Sequence, residues 1–385
     1  MINPKKSFTT LPGERELSAC GIAGLFNLDR KIVSGEPIAR MMSAMEEREN
    51  GLGAGYAAYG LFPKLREYYC LQLIMDDQQA KSAVEEFLKS YTEIVKDEEV
   101  PVKKGVLKEY PIVWRFFVSP KDAKANPDDT MKDIMMYINC SIKGAFCLSG
   151  GKDMAVFKGN GWATEIAEFY QIKDIKAFMW SAHSRFPTNT PGWWGGAHPF
   201  SLLGHAVVHN GEITSYGTNV NYLKEFGYEC KLLTDTEVLA YIYDYIARKC
   251  NYPEKISHRI ATMVLAPPYW KDIDRMSPEK KKWATNIRIV HRKAMANGPF
   301  SIIITTDMPK PTMIGHSDRK KLRPMIAALS EDGKTFYLAS ELNSIHAIDK
   351  TLNYWQPDPG KPVIASLGEP VITGTKEPLE GLNLA

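Results

Sequence analysis

Residues 16–27 read ELSACGIAGLFN, and the fold turns on what Cys20 is. A small residue, then Cys-Gly-Ile-Ala-Gly and an apolar run, looks like the start of a mature chain, yet nineteen residues precede it. The run from Cys20 to Leu28 is short, apolar and broken by glycines, which predicts a buried strand. The preceding MINPKKSFTTLPGERELSA, residues 1–19, lacks the apolar core of a secretory signal, so it reads as a leader of another kind.

The rest of the chain sets the limits on what that strand can belong to. The 385 residues are 44% hydrophobic and 24% charged, as in ordinary globular enzymes. A net charge of +3 gives no global field for nucleic acid. Two local basic runs, SPEKKKWATNIRIVHRK and DRKKLRP, read as solvated faces. No apolar run reaches the length of a membrane span. Six cysteines without a CxxC pair suit a reducing cytosol, so the expected location is cytoplasmic.

Several strands follow, among them IKAFMWSAHSRF, HAVVHNGEI, FSIIITT and a pair turning at Asp332-Gly333. Few helices separate them, which argues against an alternating βαβ sheet and for sheets covered by helices. Residues 76–137 differ in character and are expected to form an insertion or subdomain. There the pattern predicts an amphipathic helix with Val84, Phe87, Leu88, Tyr91, Ile94 and Val95 inward. GAFCLSGGKDMAVFKG predicts two strands in a hairpin around Gly150-Gly151. TDTE at 234–237 predicts a capping box opening a helix. Residues 355–385 form a Pro/Gly-rich extension.

Three segments carry chemistry: CGIAG at 20–24, HSRFPTNTPGWW at 183–194 and HNGEI at 209–213. Singly, each has a bland reading: a packed thiol, a loop, a hairpin turn at Asn-Gly. Together they supply the parts of thiol-dependent amide hydrolysis. Cys20 offers a nucleophile. If the chain began there, its α-amino group, with an ordinary pKa of about 7.7–8.0, could take the thiol proton. Asn210 and Gly211 offer N–H donors to an oxyanion. Arg185 presents a planar fork for a carboxylate, and Asp235 a carboxylate for an ammonium. Histidines 183, 198, 205 and 209 crowd the same region without metal-ligand spacing, so structural roles are expected of them. The GWWGG stretch reads equally as core packing or as a loop beside the substrate.

The order Cys-Gly-Ile-Ala-Gly, His-Ser-Arg-Phe-x-Thr-Asn-Thr, His-Asn-Gly-Glu-Ile, Thr-Asp-Thr-Glu resembles the class II glutamine amidotransferases, from Cys20 to roughly Leu342. That resemblance implies an N-terminal-nucleophile hydrolase fold: an α+β, four-layer αββα sandwich, here with an inserted α/β segment. It implies Cys20 as nucleophile and Asn210 with Gly211 as oxyanion hole. It further implies Arg185 as carboxylate clamp with Thr188 and Asn189 in the same loop, and Glu212 with Asp235 on the α-amino group of L-glutamine. The His-x-Arg-aromatic-x-Thr-Asn-Thr loop resembles the glutamate synthase version. By that likeness the chain is a glutaminase subunit serving a flavin-containing synthase partner, with FMN and iron–sulfur clusters in the partner and no cofactor in this chain. Two alternatives stay open: another acceptor, as in N-methylglutamate synthases, and a non-catalytic regulatory subunit of the same fold. Whether the chain forms a homo-oligomer is left open by the sequence.

Overall fold

The computed structural model describes residues 20–122, 126–186, 192–376 and 379. Two antiparallel sheets lie face to face. The first has seven strands, in the order Leu352–Trp355, Ile326–Ser330, Thr335–Ala339, Gly21–Asn27, Met179–Ser184, Ala54–Tyr59 and Met154–Gly159. The second has six: Phe200–Leu202, His205–Gly211, Phe300–Thr306, Thr312–Ser317, Val363–Ser366 and Ile372–Thr373.

Strand alternation builds the layers, because successive side chains point to opposite faces. Ala206, Val208 and Ile303 face the first sheet and share a core with Ile22, Ala182 and Leu338. Val207, Ile302 and Ile304 face outward and pack with Ile242, Ile260 and Val264 of the helices Asp235–Asp244 and Glu254–Leu265. On the other side, Glu36–Ser43 and Ala163–Phe169 cover the seven-stranded sheet. The result is an α+β sandwich of four layers, αββα. Gly21–Asn27 is the middle strand of the seven and all seven of its residues are buried. The two glycines in this strand serve close packing: a Cβ at Gly21 would lie 2.7 Å from Ser184 Oγ, and one at Gly24 would lie 2.9 Å from Met313 Sδ.

A second unit interrupts the sandwich. Tyr69–Met75, Gln78–Tyr91, Thr92–Glu99, Ile112–Pro120, Pro127–Ser141 and Ala145–Ser149 run β-α-β-β-α-β. Their sheet has the order Thr92–Glu99, Ile112–Pro120, Tyr69–Met75, Ala145–Ser149, a ferredoxin-like arrangement. Leu71, Leu73, Phe116 and Val118 pack against Val84, Leu88, Ile134 and Met135 of its helices. The other face leans on the sandwich, where Gln72 Nε2 donates to Val156 O at 2.8 Å.

Four readings are corrected here. The amphipathic pattern predicts a helix through Val95, but the helix ends at Tyr91 and Thr92–Glu99 is a strand. Thr92, Ile94 and Val95 are β-branched and sit better on a pleated surface, and Tyr91 and Val95 end up exposed rather than inward. The Gly150-Gly151 hairpin does not form: Ala145–Ser149 and Met154–Gly159 belong to different sheets. Those glycines instead admit close neighbours, since a Cβ would lie 2.3 Å from Met135 Sδ at Gly150 and 2.6 Å from Leu203 O at Gly151. Nor is Asn210-Gly211 a hairpin turn, for both residues lie within a strand paired to Ser301 and Phe300. The basic runs are more than solvated faces: Arg288 and Arg319 stack over Trp270 and Tyr269, at 4.6 and 4.5 Å from the ring centroids.

Candidate active site

Cys20 immediately precedes the central strand and is half-buried. Its Sγ accepts from Phe186 N at 3.3 Å. Its carbonyl accepts from Arg48 Nε at 3.2 Å, and Arg48 is held in turn by Glu341 at 2.5 Å. The sequence reading passed over this arginine. Burial drives the Cys20 thiol above its ordinary pKa, and the Phe186 N–H and the Arg185 charge only partly offset that. A thiol so placed stays protonated near neutrality and needs a base to become a nucleophile.

Arg185 continues the strand that pairs with Gly21–Asn27. Its N–H donates to Gly53 O at 2.9 Å, and it is 4% exposed. Burial lowers its pKa, while the nearby Cys20 and Asp235 act to raise it, so the three groups share one electrostatic environment. Thr188 and Asn189 lie outside the described residues.

The six-stranded sheet contributes Asn210 and Gly211. Asn210 is 1% exposed, and its Nδ2 has no hydrogen-bond partner among the described residues. A buried amide donor left open is costly, of order 1–3 kcal/mol, unless something else fills it. Gly211 has φ +144°, and a Cβ there would meet Pro299 O at 2.0 Å, so only glycine fits. Glu212 is exposed, its N–H donating to Pro299 O at 2.9 Å.

Asp235 is the first residue of the helix Asp235–Asp244. Its Oδ2 accepts from Ile213 N at 2.9 Å, tying it to the HNGEI segment. Burial alone would raise its carboxyl. The His209 ring and the Ile213 and Thr236 donors outweigh that and hold it below the ordinary carboxylate range. The capping box is only half formed. Thr234 Oγ1 accepts from Glu237 N at 3.2 Å, but the Glu237 carboxylate turns to Lys231 N and Leu232 N instead. Leu233 at φ +59° bends the loop back so that these two N–H groups point at it.

The crowded histidines form an array that the sequence showed only as a cluster. His183 Nε2 bonds His209 O at 2.9 Å, bridging the two sheets. His183 and His198 stack at 3.9 Å, and His198 Nε2 lies 2.6 Å from Thr236 Oγ1. Burial takes His183 down to about 3 and His198 well below the ordinary imidazole range, so both are neutral. Lys158 is also buried: its Nζ donates to Gly195 O at 3.1 Å, and burial brings it down to about 7. The uninterrupted apolar run MAVF that leads into it could have flagged it as buried. The GWWGG rings are packed, Trp193 against Phe146 and Trp194 against Phe169. Among the described residues no group of His, Cys, Asp or Glu is arranged to hold a metal ion, and no helix is long and apolar enough to cross a membrane.

The structure thus gathers a thiol, a guanidinium, a buried carboxamide and a carboxylate where two stacked antiparallel sheets meet, a candidate site for amide chemistry in an αββα sandwich. The chain matches the family model described as glutamine amidotransferases class-II over residues 68–377. It is 43% identical over 363 residues to an uncharacterized protein of Archaeoglobus fulgidus, covering 92% of this chain and 94% of that one. It is 27% identical over 349 residues to a "Putative glutamine amidotransferase" of Methanothermobacter thermautotrophicus, covering 89% and 98%. With the Glutamate synthase (NADPH) large chain of Bacillus subtilis it shares 26% identity over 245 residues, 58% of this chain but 15% of that one. Among solved structures it is similar to the glutamine phosphoribosylpyrophosphate amidotransferase of B. subtilis, with TM-score 0.47 and 15% identity. That match covers 90% of this chain and 47% of that chain, so this chain spans about half its length. The chain belongs to the class II glutamine amidotransferases.

Proposed function

We propose that the chain is a glutaminase that hydrolyses L-glutamine through a thioester on Cys20 and hands the ammonia to a glutamate synthase partner. The observation that carries this reading is the open Nδ2 of Asn210, a buried donor on the strand that His183 and His209 tie to the strands of Cys20 and Arg185. An oxyanion formed from the glutamine side-chain carbonyl would fill it, with Gly211 N–H as second donor. Arg185, in a role shared with Thr188 and Asn189, takes the substrate α-carboxylate, and Asp235, with Glu212 near it, takes the α-ammonium. Both charges are opposite to those they receive. Cys20 Sγ attacks the side-chain amide carbon, the thiol proton passes by way of the base to the amide nitrogen, which leaves as ammonia, and water then opens the thioester to glutamate and the free thiol.

The base is the α-amino group of Cys20, freed by cutting Ala19–Cys20. Attack of Cys20 Sγ on the Ala19 carbonyl would move the leader from nitrogen to sulfur. Water would then release the leader as a carboxylate and restore the thiol. A flavin- and iron–sulfur-containing synthase subunit would use the ammonia on 2-oxoglutarate, a reading supported by the similarity to the B. subtilis synthase chain. The test is glutamine hydrolysis by the purified protein, with and without such a subunit. Release of glutamate and ammonia is expected, and inactivity in both would defeat the assignment.

A further inference from the structure

Thr236, buried to 0% exposure beside Asp235, has three polar neighbours and one proton to share among them. Its Oγ1 donates to Asp235 Oδ1 at 3.3 Å. It also lies 2.6 Å from His198 Nε2 and 3.1 Å from His209 Nδ1. A hydroxyl has one donor and two lone pairs. With the proton on Asp235, both lone pairs must accept, so His198 carries its hydrogen on Nε2 and His209 on Nδ1. His183 Nε2 faces a carbonyl, which can only accept, so His183 too carries its hydrogen on Nε2. The three nitrogens left over, His183 Nδ1, His198 Nδ1 and His209 Nε2, are then lone pairs. They are also the ring atoms of these residues that are buried without a partner among the described residues. One assignment of protons satisfies every donor in the array.

That assignment has a direction: the ring donors fix the Thr236 lone pairs, and the Thr236 proton then points at Asp235. A carboxylate at the first turn of a helix, with its side chain 24% exposed, would otherwise rotate about its own bonds. Ile213 N holds one oxygen and the Thr236 hydroxyl the other, which His209 Nδ1 also approaches at 3.5 Å. We propose that Thr236 is a positioning residue, aimed by His198 and His209, that sets the Asp235 carboxylate to receive the substrate α-ammonium. This rests on the glutaminase reading above.

The experiment compares L-glutamine with glutaramate, which is glutamine without its α-amino group. Thr236→Val keeps the shape and removes the hydroxyl. It should lower kcat/KM for glutamine about tenfold, through KM, the scale of one hydrogen bond to a charged group, and leave glutaramate unchanged. Thr236→Ser should restore the wild-type ratio. The ratio of the two substrates on one preparation does not depend on how much of it is folded. Thr236→Ala gives the same comparison if the valine variant does not accumulate. An equal loss on both substrates, or no loss on glutamine, would overturn the proposal. Wild-type protein inactive on both would instead overturn the glutaminase reading, and the positioning role with it.

Discussion

The interior of the inserted β-α-β-β-α-β unit and the seam between the two large sheets are both buried, yet they are built from opposite materials. The helix-facing side of the insert is Leu71, Leu73, Val84, Leu88, Phe116, Ile134 and Met135. The seam carries His183 and Asn210, and at its edge, where the helix Asp235–Asp244 covers the six-stranded sheet, lie His198, His209 and Thr236; among the described residues several of their polar atoms have no partner. Apolar burial stabilises at roughly 25 cal/mol per Å², whereas an open buried donor costs free energy. The insert contributes stability, whereas the seam keeps a buried donor, Asn210 Nδ2, that has no partner among the described residues and that the proposed oxyanion would fill.

The largest effect expected is from Cys20→Ala, which should abolish glutamine hydrolysis and leave Ala19–Cys20 intact, read by ammonia release and by mass. Cleavage of that variant after Ala19 would remove self-processing and require a separate protease. Next, Asn210→Ala should lower kcat by about 10²–10³-fold with little change in KM, the range for losing one oxyanion donor. A change confined to KM would place Asn210 in substrate binding instead. Leu88→Ala sharpens the contrast from the other side. It should cost about 2–5 kcal/mol of stability in urea unfolding while kcat of the folded fraction stays unchanged. If kcat fell, the insert would be coupled to the chemistry.

The remaining effect is pH-dependent. Lys158 titrates near about 7 when folded and near 10.5 when unfolded. Above pH 7 the unfolded chain therefore binds the extra proton, and wild-type stability gains with rising pH. Lys158→Met removes that gain, so any stability advantage of the variant should be greatest at or below pH 7 and shrink toward pH 10. A difference that did not change with pH would mean the lysine stays charged inside.

Much of the sandwich was legible because its strands are short apolar runs, buried on both faces, and its turns carry their own chemistry, as at Asp332-Gly333, where Gly333 takes φ +69°. The Gly21–Asn27 strand was legible because CGIAG is too small and apolar to be a surface segment. What was not legible depended on partners distant in sequence. Thr92–Glu99 reads as helix until Ile112–Pro120 lies beside it. Gly150 and Gly151 look like a turn until Met135 and Leu203 press on them. Arg48 has no local pattern, since its partners are Cys20 and Glu341. The histidines announced a cluster, but only the hydroxyl of Thr236, contributed by a separate helix, gives that cluster an order.

The central claim is that Cys20 works as an N-terminal nucleophile, and intact mass on glutamine-hydrolysing protein tests it most directly. The account predicts a chain lacking residues 1–19 and beginning at Cys20. Active protein that keeps its leader would contradict it.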